Sequence, residues 1–189
     1  MSRCLCCGKT LRTENEYGWH SSCIKAFFGT GKFPDIDVSK EILNQLAIDN
    51  TSKGFTVPGV QKKLSLHLSQ DDNPRLTLVN YPTGYILKPQ TDEYLALPEM
   101  EYLVMQMAEA SGIKTVPYAL LRLSSQNNAF AYITKRIDRL EGKTLAMEDF
   151  CQLDGRLTED KYRGSYERCG KIISQYSESK GLDNTELFI

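Results

Sequence analysis

Residues 54–68 of the chain read Gly-Phe-Thr-Val-Pro-Gly-Val-Gln-Lys-Lys-Leu-Ser-Leu-His-Leu. The segment begins as a stiff turn and ends in strict alternation of apolar and polar residues, which predicts a strand with its leucines on one face. A glycine between a loop and a strand lets a ligand approach backbone N–H groups, and nearby lysines favour an anion there. The plainer interpretation is a loop leading into a half-buried hairpin, so the surrounding sequence has to decide.

Length and composition limit the classes of protein that remain. The 189 residues suffice for one compact domain, alone or with a small appendage. A net charge of -1 opposes a general nucleic-acid coat or a polybasic membrane anchor. No apolar run approaches bilayer length, and polar residues and cysteines fill the N-terminus where a signal peptide would be apolar. We therefore expect a cytoplasmic protein that does not enter a membrane, and in which cysteines serve as metal ligands or free thiols.

Four of the six cysteines lie within the first 23 residues. Cys4 and Cys7 form one pair with two residues between them, and His20 and Cys23 form another. This spacing lets each pair wrap a single ion, and three thiolates with one imidazole suit tetrahedral Zn²⁺. Cys6 could replace Cys4 or Cys7 as a ligand, and a group of free thiols is the alternative to any metal. Because no open coordination position is implied, we interpret the zinc site as structural.

Hydrophobic periodicity predicts an α+β fold downstream of this site. Residues 1–33 form the zinc-knuckle module, and residues 34–53 read as a linker with a helix over 38–48. There follow predicted strands over 64–68, 75–80 and 85–89, a helix that Pro98 opens and Ser111-Gly112 ends, and strands over 118–123 and 130–137. The expected core is an antiparallel five-stranded sheet with one helix. That helix is expected to bury Met100, Leu103, Val104, Met107 and Ala108.

Three strands, a helix and two strands is the order found in the small lobe of a protein kinase. A backbone-rich loop precedes the first strand, Lys88 lies on the third, and acidic residues open the helix. A lysine there can meet the α- and β-phosphates of ATP, and a helix carboxylate can hold its ammonium group. Glu101 is the first candidate for that carboxylate and Glu99 the second. Many α+β domains share this element order, however, and a lysine before a proline at a strand end is often simply exposed.

Four segments make the kinase hypothesis specific. They are residues 56–64 (Thr-Val-Pro-Gly-Val-Gln-Lys-Lys-Leu), 85–89 (Tyr-Ile-Leu-Lys-Pro), 97–101 (Leu-Pro-Glu-Met-Glu) and 135–139 (Lys-Arg-Ile-Asp-Arg). In this order and spacing they resemble the HipA family of bacterial serine/threonine kinases, the toxins of toxin–antitoxin systems. The resemblance covers roughly residues 50–189 and is closer to the shorter HipT-type kinases than to full-length HipA.

The resemblance implies a site for ATP with Mg²⁺. By resemblance, its residues are the loop residues Gly59, Val60, Gln61 and Lys63, the phosphate-contacting Lys88, and a hinge beside the adenine that runs from Lys135 to Ile137. Family members autophosphorylate a serine before the loop glycine. Here Thr56 holds that position, and Pro58 holds a second phosphosite position, where phosphorylation is excluded. A phosphate on Thr56 is expected to eject the loop from the ATP site because its charge opposes that of the nucleotide.

The resemblance also implies partners. Family members act on aminoacyl-tRNA synthetases, HipT-type kinases use a separate small subunit (HipS-like), and the partner antitoxin usually contacts DNA. We therefore expect this chain to engage a protein substrate, an antitoxin and a HipS-like subunit, without binding nucleic acid directly.

The sequence lacks part of what phosphoryl transfer requires. The reaction needs one carboxylate to orient the acceptor hydroxyl and another to hold Mg²⁺. In the HipA family both lie farther along the chain, in a loop with Asn, Asp and His, whereas the histidines here are His20 and His67. We therefore expect residues 54–139 to form the small lobe, residues 140–189 to begin a helical large lobe, and the chain alone not to transfer phosphate. Surface that a complete enzyme would bury favours self-association.

Two other functions stay open on the residues alone. A non-catalytic, zinc-bearing pseudokinase piece would engage an antitoxin or a complementing subunit without chemistry of its own. A DNA-binding protein would use the zinc knuckle, but the pI of about 6.2 and the shortage of a basic stripe oppose it.

Overall fold

The computed structural model describes residues 2–38, 63–69, 71–79, 83–91, 94–123, 129–140 and 143–189. The chain divides into two compact units, Met1–Gly142 and Lys143–Ile189. The helix predicted over 38–48 and the loop over 54–61 lie almost wholly outside the described residues. Within the described ranges, no helix has the length and apolar character needed to cross a bilayer.

The first unit contains a six-stranded sheet and two helices among its described residues. Its elements are α1 (Ser21–Phe28), β1 (Asp35–Asp37), β2 (Leu64–Leu68), β3 (Arg75–Leu78), β4 (Tyr85–Pro89), α2 (Leu97–Ala110), β5 (Tyr118–Leu123), β6 (Ala129–Lys135) and β7 (Arg139–Leu140). The strand order in the large sheet is β1-β3-β2-β4-β6-β5. All neighbours are antiparallel except β1 and β3, which run parallel. The predicted α+β class is confirmed.

The predicted five-stranded sheet is wrong by one strand. Strand β1 was expected to be part of a linker, yet it pairs Asp35 with Arg75 and continues for three residues. Two of its three residues are aspartates, so neither β-propensity nor alternation signals a strand. Its position depends on parallel pairing with a strand about forty residues away, which local pattern cannot reveal.

The sheet packs on both faces. One face carries the leucines of β2 and β4 together with the alternate residues of β5 and β6, and the N-terminal module covers it. The module contributes buried apolar side chains that include Trp19, Ile24, Phe27 and Phe28. Tyr85 also donates a hydrogen bond from its hydroxyl to the Phe27 carbonyl, at 3.2 Å. The module and this face of the sheet therefore share one hydrophobic core.

Helix α2 covers the opposite face, but with a different side from the one predicted. The predicted buried residues Met100, Leu103, Val104 and Met107 are 47 to 61% exposed. The buried residues are Pro98 and Tyr102, and Met105 packs beside them. The strands below present tyrosine rings, and the Tyr118 hydroxyl donates to the Glu109 carboxylate at 2.9 Å. The side of α2 that faces the sheet is therefore the one that carries the Tyr102 ring and the Glu109 carboxylate. Buried tyrosine hydroxyls require such hydrogen-bond partners.

The N-terminal module also closes the free edge of β5. The Leu120 amide donates to the Leu5 carbonyl at 2.9 Å, and the Trp19 indole N–H donates to the Leu120 carbonyl at 3.0 Å. An unpaired edge would offer these groups to another chain. The module therefore protects the sheet as well as completing its core.

The second unit is helical. It contains β8 (Lys143–Thr144), α3 (Phe150–Leu153), a 3₁₀ turn (Thr158–Asp160), α4 (Tyr166–Tyr176) and α5 (Lys180–Phe188). Asp149 and Gln152 form a reciprocal capping box at the start of α3. Gly170 lets α5 approach α4 closely, because a Cβ there would lie 3.0 Å from Asn184 Oδ1 and 3.1 Å from the Phe188 ring.

Candidate nucleotide and metal sites

Lys88 and Glu101 lie together between the sheet and α2. Lys88 is the fourth residue of β4, and Glu101 lies in the second turn of α2, on the side that faces the strand. Their side chains form an ion pair, with the ammonium donating to Glu101 Oε1. The two side chains are 20% and 25% exposed, so the pair is partly shielded but open to a ligand. The second candidate carboxylate, Glu99, has a buried oxygen that makes no hydrogen bond to the described residues.

Tyr132 forms the floor beneath Lys88. The two residues lie opposite each other in the β4–β6 register, and the ammonium stands 5.3 Å from the ring centroid. Burial first, and then the Glu101 carboxylate, raise the pKa of Tyr132 above its usual range. The ring therefore stays neutral and offers its face to the cation.

Lys63 is the residue immediately before β2. The β2–β4 register pairs Leu64 with Leu87, so continuing that register by one residue would bring Lys63 opposite Lys88. Directly opposite residues of an antiparallel pair point to the same face. Lys63 and Lys88 thus both lie at the end of the sheet where β2 begins.

The predicted hinge residues lie at the far end of β6. Lys135 is the last residue of that strand, and Ile137, which is 52% exposed, lies two residues beyond it. The Lys135 amide donates to the Pro117 carbonyl at 3.0 Å. The remaining predicted residues Thr56, Gly59, Val60 and Gln61 lie outside the described residues.

A buried charge cluster holds the backbone after β6. Arg136 donates from Nε and Nη2 to the two oxygens of Asp138, at 2.8 and 2.6 Å, and Arg139 donates to Asp138 Oδ2 at 2.7 Å. The Arg136 and Asp138 side chains are 6% and 8% exposed. The hydrogen bonds from Arg136, assisted by the charge of both arginines, hold the pKa of Asp138 below its usual range. These contacts link the side chains of residues 136, 138 and 139 directly after β6.

Cys4, Cys7, His20 and Cys23 bring four ligand atoms within 4.8 Å of one another. The His20 Nδ1 atom lies 3.4 Å from Cys7 Sγ and 3.7 Å from Cys23 Sγ. The other ring nitrogen, Nε2, lies 3.2 Å from the Thr10 carbonyl. A ring that donates from Nε2 to a carbonyl leaves the Nδ1 lone pair for a metal, which is the usual arrangement of a ligating histidine. The cluster could hold a metal ion, and its three thiols and one imidazole are compatible with zinc.

The backbone around Cys4 favours a thiolate. Burial opposes ionisation of this thiol, but backbone N–H groups, first that of Cys7 and then that of His20, outweigh burial and lower the pKa of Cys4 to about 7. Cys6 differs from the four. Burial and the neighbouring Cys4 raise its pKa to about 12, and its sulfur is not part of the group of four ligand atoms found among the described residues.

The sequence itself matches a known family. The model of the HipA-like C-terminal domain family matches residues 55–189. The chain belongs to this family. Among curated relatives of this HipA-like chain is a protein of Haemophilus influenzae named "Putative kinase", 30% identical over 149 residues, which cover 72% of this chain and 42% of that protein. A protein of Sinorhizobium fredii named "Putative kinase Y4dM" is 28% identical over 131 residues, covering 63% and 32%. The HipA-like chain thus spans less than half the length of either relative.

Two residues at the candidate sites, Tyr132 and Tyr102, were not identified from the sequence. Tyr132 lies beneath Lys88, and strand register could have found it, because the third and fifth predicted strands are neighbours in the sheet. Tyr102 donates a hydrogen bond to the Cys6 carbonyl at 3.1 Å. No local pattern signals that contact, since it joins residues 96 positions apart.

Proposed function

We propose that this chain is the nucleotide-binding portion of a HipA-like serine/threonine kinase, and that Lys88 binds the α- and β-phosphates of ATP. The observation that carries the proposal is the Lys88–Glu101 ion pair between the third strand of the predicted lobe and its helix. In protein kinases, a strand lysine that is paired with a helix glutamate positions the phosphates of ATP. Membership of the HipA-like family supports the same function.

The other parts of the proposed site follow from position. The loop with Gly59, Val60 and Gln61 would cover the phosphates with its N–H groups, while Lys63 adds a second positive charge. The ammonium of Lys88 would keep its hydrogen bond to Glu101 and turn its other protons toward phosphate oxygen. Mg²⁺ would accompany ATP in the complete enzyme. Thr56 is the proposed autophosphorylation site, and its phosphate would compete with ATP for the same cations.

Nucleotide binding without phosphoryl transfer is proposed for this chain alone. The Asn-Asp-His loop that would orient the acceptor hydroxyl has no counterpart in the sequence. The proposed substrate of the whole protein is a serine or threonine of another protein. An aminoacyl-tRNA synthetase, an antitoxin and a HipS-like subunit are proposed partners on family resemblance.

We also propose that the Cys4, Cys7, His20 and Cys23 cluster holds a structural Zn²⁺. Four protein ligands leave no position for substrate, so the metal would stabilise the module rather than act in catalysis.

Titration with a fluorescent ATP analogue tests the nucleotide site. Charge-assisted hydrogen bonds to phosphate contribute about 1.5–3 kcal/mol, so Lys88→Ala should weaken binding about tenfold or more. Glu101→Gln keeps a hydrogen-bond acceptor but loses the charge, and should weaken binding less. Lys114→Ala removes an exposed lysine of the same unit and is the matched control. Equal affinity of Lys88→Ala and Lys114→Ala would remove Lys88 from the site.

A further inference from the structure

The Cys4, Cys7, His20 and Cys23 cluster is connected to the proposed nucleotide site through helix α2. Tyr102 of this helix contacts Cys6 beside the cluster, and the preceding residue, Glu101, pairs with Lys88. Cys6 lies between the ligands Cys4 and Cys7, so a metal held by those two fixes the position of the Cys6 carbonyl. That carbonyl accepts the hydrogen bond of the Tyr102 hydroxyl at 3.1 Å. Tyr102 is the residue after Glu101 on α2.

The contact between the knuckle and α2 is a close one. Gln106 donates from its side-chain amide to the Tyr102 hydroxyl at 3.1 Å, so the hydroxyl is both donor and acceptor. Gly8 follows the first ligand pair with φ 69°, and a Cβ there would collide with the Gln106 amide. Tyr102 is 9% exposed and its ring meets Tyr118 edge-on at 5.5 Å. The knuckle is therefore shaped to receive this turn of the helix.

We propose that the metal-bound knuckle positions α2 through Tyr102, so that metal occupancy sets the geometry of the Lys88–Glu101 pair. Tyr102 is a positioning residue, since its hydroxyl reaches the knuckle and not the nucleotide. Loss of the metal would free the Cys6 carbonyl, loosen the first turns of α2 and withdraw Glu101 from Lys88. The effect on nucleotide affinity rests on the proposed function, whereas the effect on the helix does not.

Two tyrosine-to-phenylalanine variants isolate the contact. Tyr102→Phe removes the hydroxyl at the knuckle, and Tyr85→Phe removes a buried hydroxyl that joins the same module to the other face of the sheet. With metal bound, Tyr102→Phe should weaken binding of the fluorescent ATP analogue about three- to tenfold, while Tyr85→Phe should leave it unchanged. In a Lys88→Ala background, Tyr102→Phe should have no further effect, because the two residues act through one ion pair.

Hydrogen exchange supplies a readout that does not depend on nucleotide. Amides of α2 should exchange faster in Tyr102→Phe and after zinc removal with a chelator, while those of β5 and β6 stay protected in Tyr102→Phe. If wild type binds ATP and Tyr102→Phe matches Tyr85→Phe in affinity and exchange, the coupling is overturned and the proposed function stands. If Lys88→Ala binds ATP as wild type does, the proposed function fails, and exchange in α2 alone decides the coupling. Unchanged α2 exchange in Tyr102→Phe overturns it in either case.

Discussion

The side chain of Trp19 contacts both the N-terminal module and the sheet. It is fully buried, at 0% exposure. The centroid of its ring lies 5.4 Å from the ring centroids of Phe27 and of Phe28. Its indole N–H donates a hydrogen bond to the Leu120 carbonyl at the edge of β5. No smaller ring can both fill this volume and satisfy that carbonyl.

Trp19→Phe should therefore lower the free energy of unfolding by about 2–4 kcal/mol, because it leaves a cavity and an unpaired buried carbonyl. Urea unfolding followed by circular dichroism measures the change. Tyr17→Phe is the control, since Tyr17 is 39% exposed and keeps its stacking on Phe33 without the hydroxyl. Similar losses for the two variants would contradict the role given to the indole.

The ion pairs of Asp138 should make the free energy of unfolding depend on pH. Its pKa is lowered in the folded chain, so its contribution to stability is complete above the ordinary value of about 3.9 and is lost as pH falls below it. Asp138→Asn also leaves Arg136 buried without a counter-charge, which should cost about 3–5 kcal/mol at pH 7. Urea unfolding between pH 7 and pH 2 should show that wild type loses stability on acidification faster than the variant. Asp72→Asn, at an exposed turn, should follow wild type, and a parallel loss in Asp138→Asn would refute the assignment.

At the scale of elements, α2 begins under backbone strain. Its N-cap residue Ala96 has φ 56° and no side-chain capping hydrogen bond. A left-handed conformation costs a non-glycine residue about 1–2 kcal/mol, and Ala96 is the non-glycine residue that adopts one in the described chain. The helix that carries Glu101 is thus held in place by its contacts more than by its own start.

Ala96→Gly should relieve that strain and raise the free energy of unfolding by about 0.5–1 kcal/mol, after allowing for the greater entropy of glycine in the unfolded chain. Ala108→Gly makes the same chemical change inside α2 and should lower stability by about 1 kcal/mol. Thermal unfolding of the two variants gives the comparison. Destabilisation by both would show that the Ala96 conformation carries no strain.

Sequence periodicity predicted the elements better than their faces. Strands β2, β4 and β5 fall on the predicted residues, since alternation and turn residues are local signals. The face of α2 could not be predicted in the same way. Two stripes of this helix are apolar or aromatic, and the choice between them depends on the tyrosines of β5 and β6, which lie beyond the helix in sequence. The sixth strand depends likewise on a distant partner.

The candidate site residues likewise include some that sequence signals predicted and one that depends on a contact distant in sequence. Lys88 and Glu101 could be identified from the sequence because the predicted element order is that of a kinase small lobe, in which a carboxylate of the helix holds the lysine of the third strand. The four candidate metal ligands could be identified because their spacing repeats. Tyr102 could not be identified in this way, because its proposed role depends on a hydrogen bond to the backbone carbonyl of Cys6, which is distant in sequence.

For the whole molecule, the N-terminal module is part of the main core. Its apolar residues and those of the sheet form one cluster, so a metal bound by the four candidate ligands would stabilise the fold of the first unit. A metal that binds only the folded chain adds stability by mass action.

One zinc ion per chain is therefore expected after purification without chelator, and zinc removal should lower the unfolding temperature by several degrees. Cys23→Ser should have the same effect in the presence of zinc. Cys169→Ser, which changes a thiol of the second unit outside the cluster, should bind zinc and unfold as wild type does. Less than half an equivalent of zinc, or an unfolding temperature indifferent to chelator, would contradict the metal assignment.

The proposed function depends most on contact between Lys88 and nucleotide phosphate, and affinity labelling measures this contact directly. An acyl-phosphate derivative of ATP transfers its acyl group to a lysine amine beside the bound phosphates, and peptide mass spectrometry locates the label. We expect preferential labelling of Lys88, suppressed by excess ATP and absent at this position in Lys88→Ala, with only weak, ATP-insensitive labelling of the exposed Lys114. Labelling of Lys88 and Lys114 to the same extent, with no protection by ATP, would contradict the proposed function.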